Sequence, residues 1–198
     1  TEYEFTIEAH DPDFNQVYFF RMFDVTNNIP VPLNTGETYP SLSTNGTTLS
    51  FTISGLASSV TTEGIVTDIT TSATAISFGS LAVGGTIEGA QRLTVTTNAA
   101  EGYQVLLKQT QNMTSYGGVE IVGVDGTNVA PAAWAIPSNA FGGYGYHAGD
   151  DSLSGNPTRF SVDDTYAKLE SSAKEVAFNN SPVENESIDV VYRVEISN

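Results

Sequence analysis

The sequence predicts an all-β fold, an antiparallel Greek-key sandwich that contains little helix. Thr, Ser, Val and Gly are abundant, and apolar residues almost never recur with the 3.6-residue period of a helix. Segments with strand character follow one another at a spacing of about ten residues, as in antiparallel sandwiches. The cleanest alternation is in residues 187–198, where one face is apolar and the other carries Asp189, Arg193 and Glu195. The apolar face consists of Ile188, Val190, Tyr192, Val194 and Ile196.

Eight further strands are predicted before this last one. Each is a run of apolar and β-branched residues bounded by turn-forming Gly, Asn, Asp or Pro. Residues 2–8 and 48–54 alternate strictly, so each of these strands is expected to bury one face. Residues 17–25 (VYFFRMFDV) are apolar on both faces, which predicts a strand covered on two sides. The predicted strands are 2–8, 17–25, 48–54, 65–70, 75–81, 91–97, 103–109 and 119–124.

Other segments suggest how the chain is organised. Residues 126–155 are rich in Gly, Pro, Ala and aromatic residues and show no clear hydrophobic period. This composition predicts a long loop that carries aromatic side chains. Residues 165–174 (TYAKLESSAK) form the only plausible helix. A small, polar stretch at 55–62 indicates an N-terminal β module (residues 1–55), able to share its sheet with a main β-sandwich (residues 56–198). One continuous domain is the alternative.

Charge and composition exclude several partners. Seven Lys and Arg residues stand against 23 Asp and Glu residues, so the net charge is −16 and a nucleic-acid backbone is not an expected ligand. The chain has no cysteine, which removes disulfides, thiolate catalysis and Cys-based metal sites. No apolar run approaches the ~20 residues needed to cross a bilayer, so direct membrane insertion is not expected. Strong negative charge is typical of a solvated extracellular surface, or of one that gathers cations.

Four segments of the sequence together resemble a known class of protein. They are YFFRMFDVTNNIPVPLNTGETYPSL (18–42), AISFGSLAVGGTIEGAQRLTVTTNAAEGYQVLL (75–107), FGGYGYHAGD (141–150) and SPVENESIDVVYRVEIS (181–197). In this order they resemble large secreted cell-surface proteins of candidate-phyla-type bacteria, which are built from Ig-like β-sandwich modules. The resemblance implies an Ig-like sandwich, an extracellular location and further sequence before Thr1. It also implies that one strand is missing after 188–196.

Candidate catalytic groups are few. Only His10 and His147 offer an imidazole base, and His147 precedes the acidic and hydroxyl side chains of 150–152, so a Ser-His-Asp arrangement is formally available. No Gly-x-Ser-x-Gly elbow marks a nucleophile. Asp163 and Asp164 could suggest a carboxylate pair, but neighbours in a strand point to opposite sides and more often occupy turns. We therefore expect no enzymatic activity and no cofactor.

One segment has the spacing of a calcium loop. Asp11, Asp13 and Asn15 occupy alternate positions, where their oxygens can converge on one hard cation. An EF-hand would continue with Gly and Glu where this chain has Gln16 and Met22. Calcium binding therefore competes with the interpretation that Asp-Pro-Asp is an ordinary turn.

Two surface features point to binding. Several aromatic rings fall in the predicted loop, where they could stack on sugars, contact an adjoining subunit or close over the core; they are Trp134, Phe141, Tyr144 and Tyr146. Four asparagines fit the Asn-x-Ser/Thr rule for glycosylation, namely Asn45, Asn112, Asn179 and Asn185.

The combined features predict a non-enzymatic structural subunit of an extracellular assembly, such as a fibre, a pilus-like filament or a surface layer. Its partners would be copies of itself or adjoining modules. In this hypothesis a donor strand at 1–8, with Tyr3, Phe5 and Ile7 as its buried face, fills a groove beside 188–196 of the next subunit. The alternative is a carbohydrate-binding or adhesive surface module that uses the aromatic residues.

Overall fold

The structure, a computed structural model, describes residues 3–9, 47–114, 118–155 and 158–197. Within these ranges the protein is all-β without any helix, and most strand pairs are antiparallel. The strands are β1 (Tyr3–Ala9), β2 (Leu49–Gly55), β3 (Thr61–Thr62), β4 (Ile65–Val66), β5 (Thr86–Thr97), β6 (Tyr103–Gln109), β7 (Met113–Thr114), β8 (Glu120–Gly123), β9 (Ala132–Ala133), β10 (Gly142–Ala148), β11 (Thr165–Tyr166), β12 (Lys174–Asn179) and β13 (Val183–Ile196).

Two sheets dominate the architecture. The smaller has the order β1-β6-β12, and the larger has the order β2-β5-β13-β10-β8-β7 and curls into a half-barrel. The short connection from β5 to β6 passes from the larger sheet to the smaller one, and the short turn between β12 and β13 passes back. β1 and β2 therefore occupy corresponding edges of the two sheets.

The main core fills the space between these sheets. Its members alternate along β5, β6 and β13, as expected when each strand turns one face inward. Hydrophobic burial of this extent, at roughly 25 cal/mol per Å² of apolar surface, is the main contribution to folding. Its largest fully buried side chains, each less than 2% exposed, are Tyr103, Tyr146, Tyr192, Leu93, Leu107 and Leu153.

A second core covers the outer face of the larger sheet. Short hairpins and loops pack there against Ala90 of β5 and Val191 of β13, both 0% exposed. The β3–β4 hairpin contributes Ile65, and β11 contributes Tyr166. We call this covering the loop layer, comprising residues 56–72, 124–136 and 162–168. It makes β13 a strand buried on both faces, whereas the sequence predicted a solvated polar face.

The predicted helix at 165–174 is wrong. Its first residues form β11, which pairs with β9, and Ala167 forms a bridge to Tyr146 of β10. An isolated helix of this length is marginal in water, so tertiary pairing decides the conformation. Residues 119–124 do contain a strand, β8, but it pairs in parallel with β10.

The prediction of a long loop over 126–155 is also wrong at Gly142–Ala148, which form β10. β10 lies inside the larger sheet, and all seven of its residues are buried. Of the other predicted strands, 65–70 is reduced to β4, and 75–81 has no strand, although Ile76 and Phe78 still pack against the main core. The prediction for 17–25 lies outside the described residues.

Candidate functional site

The predicted acceptor strand is not at a sheet edge. β13 pairs with β5 on one side and with β10 on the other, so no groove beside it is open. The predicted interface residues on β13 belong to the core instead. Ile188, Val190, Tyr192 and Val194 are at most 6% exposed, and Ile196 is half-buried. The alternation was identified correctly, but it reports burial inside the chain rather than contact with a neighbour.

The predicted donor strand is at a sheet edge. β1 pairs antiparallel with β6 over seven residue pairs, from Tyr3 opposite Gln109 to Ala9 opposite Tyr103. Phe5 is opposite Leu107 and Ile7 is opposite Val105 in this register. No described strand pairs with the other side of β1.

The predicted aromatic contact surface does not form. Tyr144 and Tyr146 lie in β10 and are 2% and 1% exposed. Their hydroxyl groups are hydrogen-bonded inside the protein, because Tyr144 donates to Gln109 Oε1 (2.6 Å) and Asn128 Nδ2 donates to the Tyr146 hydroxyl (2.8 Å). Of the four predicted rings, only Phe141 is largely exposed, at 52%.

Trp134, the fourth predicted ring, belongs to an ion-pair network in the loop layer. The Arg193 guanidinium lies 4.7 Å from the centroid of the Trp134 ring, and Trp134 Nε1 donates to Glu195 Oε2 (2.6 Å). Arg193 also lies 5.4 Å from the ring of Tyr166, which meets Trp134 edge-on at 5.1 Å. Cation–π contacts of this kind stabilise by about 0.5–2 kcal/mol.

Arg193 also lines an open cleft of about 510 Å³. Its Nη1 lies 3.2 Å from Asp164 and 3.4 Å from Glu88, and Asp68 completes an acidic rim. Burial raises the pKa of Glu88, although the hydrogen bond from Tyr166 (2.8 Å) and the charge of Arg193 oppose that shift. Because its single cation already contacts two carboxylates and two rings, this cleft mainly holds the loop layer to the sheet.

A second acidic cluster surrounds the tip of the β3–β4 hairpin. Glu63 occupies this tip and is half-buried beside Asp189 of β13. Burial, with the nearby charges of Asp189, Asp151 and Asp163, raises the pKa of Glu63 to about 7. Asp189 itself is held by Arg92 through two hydrogen bonds of 2.8 Å.

His147 is a packed residue rather than an exposed base. It is 2% exposed, its Nδ1 donates to the Thr165 carbonyl (2.7 Å), and its ring meets Phe160 edge-on at 5.4 Å. Burial lowers the pKa of His147. Asp150, instead of orienting this imidazole, accepts hydrogen bonds from the Ser152 hydroxyl (2.7 Å) and the Phe178 amide (2.6 Å).

The remaining predicted sites are distributed as follows. Asn112 and Asn185 are exposed, whereas Asn179 is partly buried and donates to Glu186 Oε1 (2.9 Å). Asn45 and the calcium residues Asp11, Asp13 and Asn15 lie outside the described residues, so they stay predictions. In the described ranges, no three His, Asp or Glu side chains are arranged to hold a metal ion, and no helix could cross a membrane.

Sequence reasoning missed the groups that the structure gathers most closely. Arg193 and Asp189 were placed on a solvated strand face, and Glu63 and Glu88 were not singled out. Glu63 and Glu88 are far from Asp189 and Arg193 in the sequence, so no spacing along the chain links them to these two residues. The one available signal was the presence of charged residues within the mainly apolar run 188–196, since buried charges need partners.

Comparisons with known proteins give no relative. No protein-family model, no curated protein and no solved structure matches this chain. The resemblance to secreted surface proteins stays a prediction.

Proposed function

We propose that this chain is a non-enzymatic structural module of an extracellular surface assembly, in which copies join by exchange of β1. The observation that carries the proposal is the position of β1, an edge strand whose only described strand partner is β6. The acceptor is therefore β6, which replaces the strand 188–196 proposed from the sequence.

The β6 strand has the properties of an acceptor. Tyr103, Val105 and Leu107 turn into the main core and are at most 1% exposed, while β12 pairs with the other side of β6. Without β1, every second residue of β6 would present unpaired backbone groups next to this core. An incoming strand would pair these groups through main-chain hydrogen bonds, which is the basis of strand addition.

The chain also has the length that exchange needs. Residues 10–48 separate β1 from β2. At about 3.3 Å per residue, an extended segment of this length can carry β1 to a neighbouring molecule. Contacts made head to tail do not close on themselves unless the rotation allows a ring, so they propagate into fibres.

Composition supports the location and the class. A net charge of −16 and the absence of cysteine fit an exported protein stabilised by packing alone. We also propose that the fold is an Ig-like sandwich, as the resemblance implies. The carbohydrate-binding alternative has less support, because Tyr144 and Tyr146 are core residues and Trp134 packs against Tyr166.

Peptide complementation tests the proposal. A variant lacking residues 1–9 should gain thermal stability when a synthetic Tyr3–Ala9 peptide is added, and a scrambled peptide should have no effect. The intact chain should form filaments visible by electron microscopy, and the shortened variant should not. Filaments of undiminished number without residues 1–9 would refute the exchange.

Proline substitutions supply a matched control. Neighbouring amides of a strand point to opposite sides, so proline at Phe5 and proline at Thr6 cannot both remove a β1–β6 hydrogen bond. One of these variants should lose assembly and the other should largely retain it. Equal behaviour of the two would contradict pairing through this edge.

A further inference from the structure

The tip of the β3–β4 hairpin is pressed against the larger sheet. Glu63 and Gly64 both have left-handed backbone conformations, with φ of 51° and 71°, as the two central residues of a tight hairpin turn require. This turn aims the Glu63 side chain at Gly149, where an added Cβ would lie 2.2 Å from the Glu63 carboxyl carbon. Only glycine at position 149 leaves room for this contact.

The same tip lies among carboxylates from three other elements. Asp189 comes from β13, Asp151 follows β10, and Asp163 precedes β11, where its carboxylate faces Gly64. Thr62 Oγ1 donates to Asp189 Oδ2 (2.7 Å). Because Thr62 belongs to β3, this hydrogen bond attaches the hairpin to β13.

Few cations balance this negative charge. Arg92 of β5 is committed to Asp189 by two hydrogen bonds, and its side chain is 48% exposed. His147 of β10 lies near Asp151 and Asp163, but burial lowers its pKa, so it is neutral at neutral pH. A proton on Glu63 is therefore the available means of relieving the repulsion.

We propose that the β3–β4 hairpin is a pH-sensitive latch, docked on the sheet while Glu63 is protonated and released when Glu63 ionises. The neutral carboxyl can lie against Gly149, because without a charge it is not repelled by the three aspartate carboxylates. The ionised carboxylate is repelled by the charges of Asp189, Asp151 and Asp163, and it regains its hydration by moving outward.

Release would alter the surface as well as the hairpin. Residues 64–66 form one wall of the cleft that contains Glu88 and Arg193. The hairpin also supplies Ile65 to the second core, so its departure would expose apolar surface beside that cleft. The pKa of Glu63, at about 7, places the change near neutral pH.

Amide hydrogen exchange tests the latch directly. The Asp68 amide (2.8 Å) and the Ile69 amide (3.2 Å), just after β4, both donate to the Glu88 carbonyl of β5, so both report on docking of the hairpin. After correction for intrinsic rates, their protection should fall several-fold between pH 5.5 and 8.5. Core amides of β5 and β13, which exchange through global unfolding, should lose less protection. Equal protection at both pH values, or an equal loss in the core, would overturn the proposal.

Three variants separate the effect of Glu63 from general effects of pH. Glu63→Gln, which cannot ionise, should keep full protection at pH 8.5, whereas Glu101→Gln, in the exposed β5–β6 turn, should behave as the wild type. Asp151→Asn should retain the transition but move its midpoint to lower pH, because one repelling charge is gone. A wild-type loss of protection in Glu63→Gln would refute the latch.

Discussion

The Arg159 guanidinium and the Glu175 carboxylate form an ion pair at 2.9 Å between side chains that are only 7% and 6% exposed. The same carboxylate accepts hydrogen bonds from the Ser154 amide (2.7 Å) and hydroxyl (2.6 Å), and from the side-chain amide of Gln104. Glu175 is on β12, and Arg159 and Ser154 belong to the connection after β10. This pair therefore attaches that connection to the smaller sheet.

Arg159→Met should destabilise the protein strongly. It leaves a buried carboxylate without its cation, which typically costs about 3–5 kcal/mol. Urea denaturation would measure the loss. Lys174→Ala, at the more exposed Lys174–Glu170 pair (3.2 Å), should cost less than about 0.5 kcal/mol. Similar losses in both variants would mean that burial of the first pair does not matter.

Gly102→Ala should be more harmful than Gly79→Ala. Both glycines have left-handed φ values, 70° and 65°, so alanine pays the same backbone cost of about 1–2 kcal/mol at each. At Gly102 the new Cβ would also lie 1.9 Å from the Asn179 carbonyl oxygen, whereas at Gly79 nothing lies within 4 Å. Thermal denaturation should show a clearly lower Tm for Gly102→Ala. Equal Tm values would show that the turn at Gly102 moves freely away from β12.

His147 should make the protein less stable as the pH falls. Burial lowers its folded-state pKa below the ordinary value of 6.5, so the unfolded chain binds the proton more readily. The stabilisation is complete above about pH 6.5 and is lost as the pH drops below it. His147→Asn keeps an N–H donor but cannot titrate, and should flatten this part of a stability–pH profile. An unchanged slope would assign the effect to other groups.

Glu63 should act in the opposite direction over much of the same range. Its folded-state pKa is raised from 4.5 to about 7, so the folded chain holds the proton more tightly. The free energy of unfolding should therefore fall as the pH rises from about 4.5 to about 7, by roughly 1 kcal/mol after allowance for solvent screening. Glu63→Gln should be more stable than the wild type at pH 8 and similar to it at pH 5. A variant that is no more stable at pH 8 would contradict this assignment.

The sequence was sufficient to predict an all-β, mainly antiparallel protein and several of its strands. Strict alternation in 48–54 and 187–198 predicted β2 and β13, because period-two patterning needs only one buried face. It could not reveal that the second face of β13 is covered, since the loop layer comes from distant segments. Asp189, predicted to be solvated, is 5% exposed for that reason.

The error at β10 has a different physical origin. Its glycines predicted a loop, yet an added Cβ at Gly145 would lie 2.8 Å from Val124 Cγ2 and 2.9 Å from the Ala167 carbonyl oxygen. Glycine is used here because the loop layer approaches the strand closely, which is a known use of glycine inside sheets. The acidic cluster could not be predicted for a similar reason, because Glu63 and Asp189 are far apart in the sequence and meet only in the tertiary structure.

Isotope-resolved crosslinking tests the exchange of β1 most directly. The register places Glu4 opposite Lys108, and residues directly paired across antiparallel strands share a face, so a carbodiimide should join the two without a spacer. Equal amounts of ¹⁴N- and ¹⁵N-labelled protein would be mixed after denaturation, assembled, crosslinked and digested for mass spectrometry. Exchange predicts Glu4–Lys108 peptides that combine both isotopes as often as they share one. Crosslinks confined to a single isotope would show that β1 pairs only within its own chain.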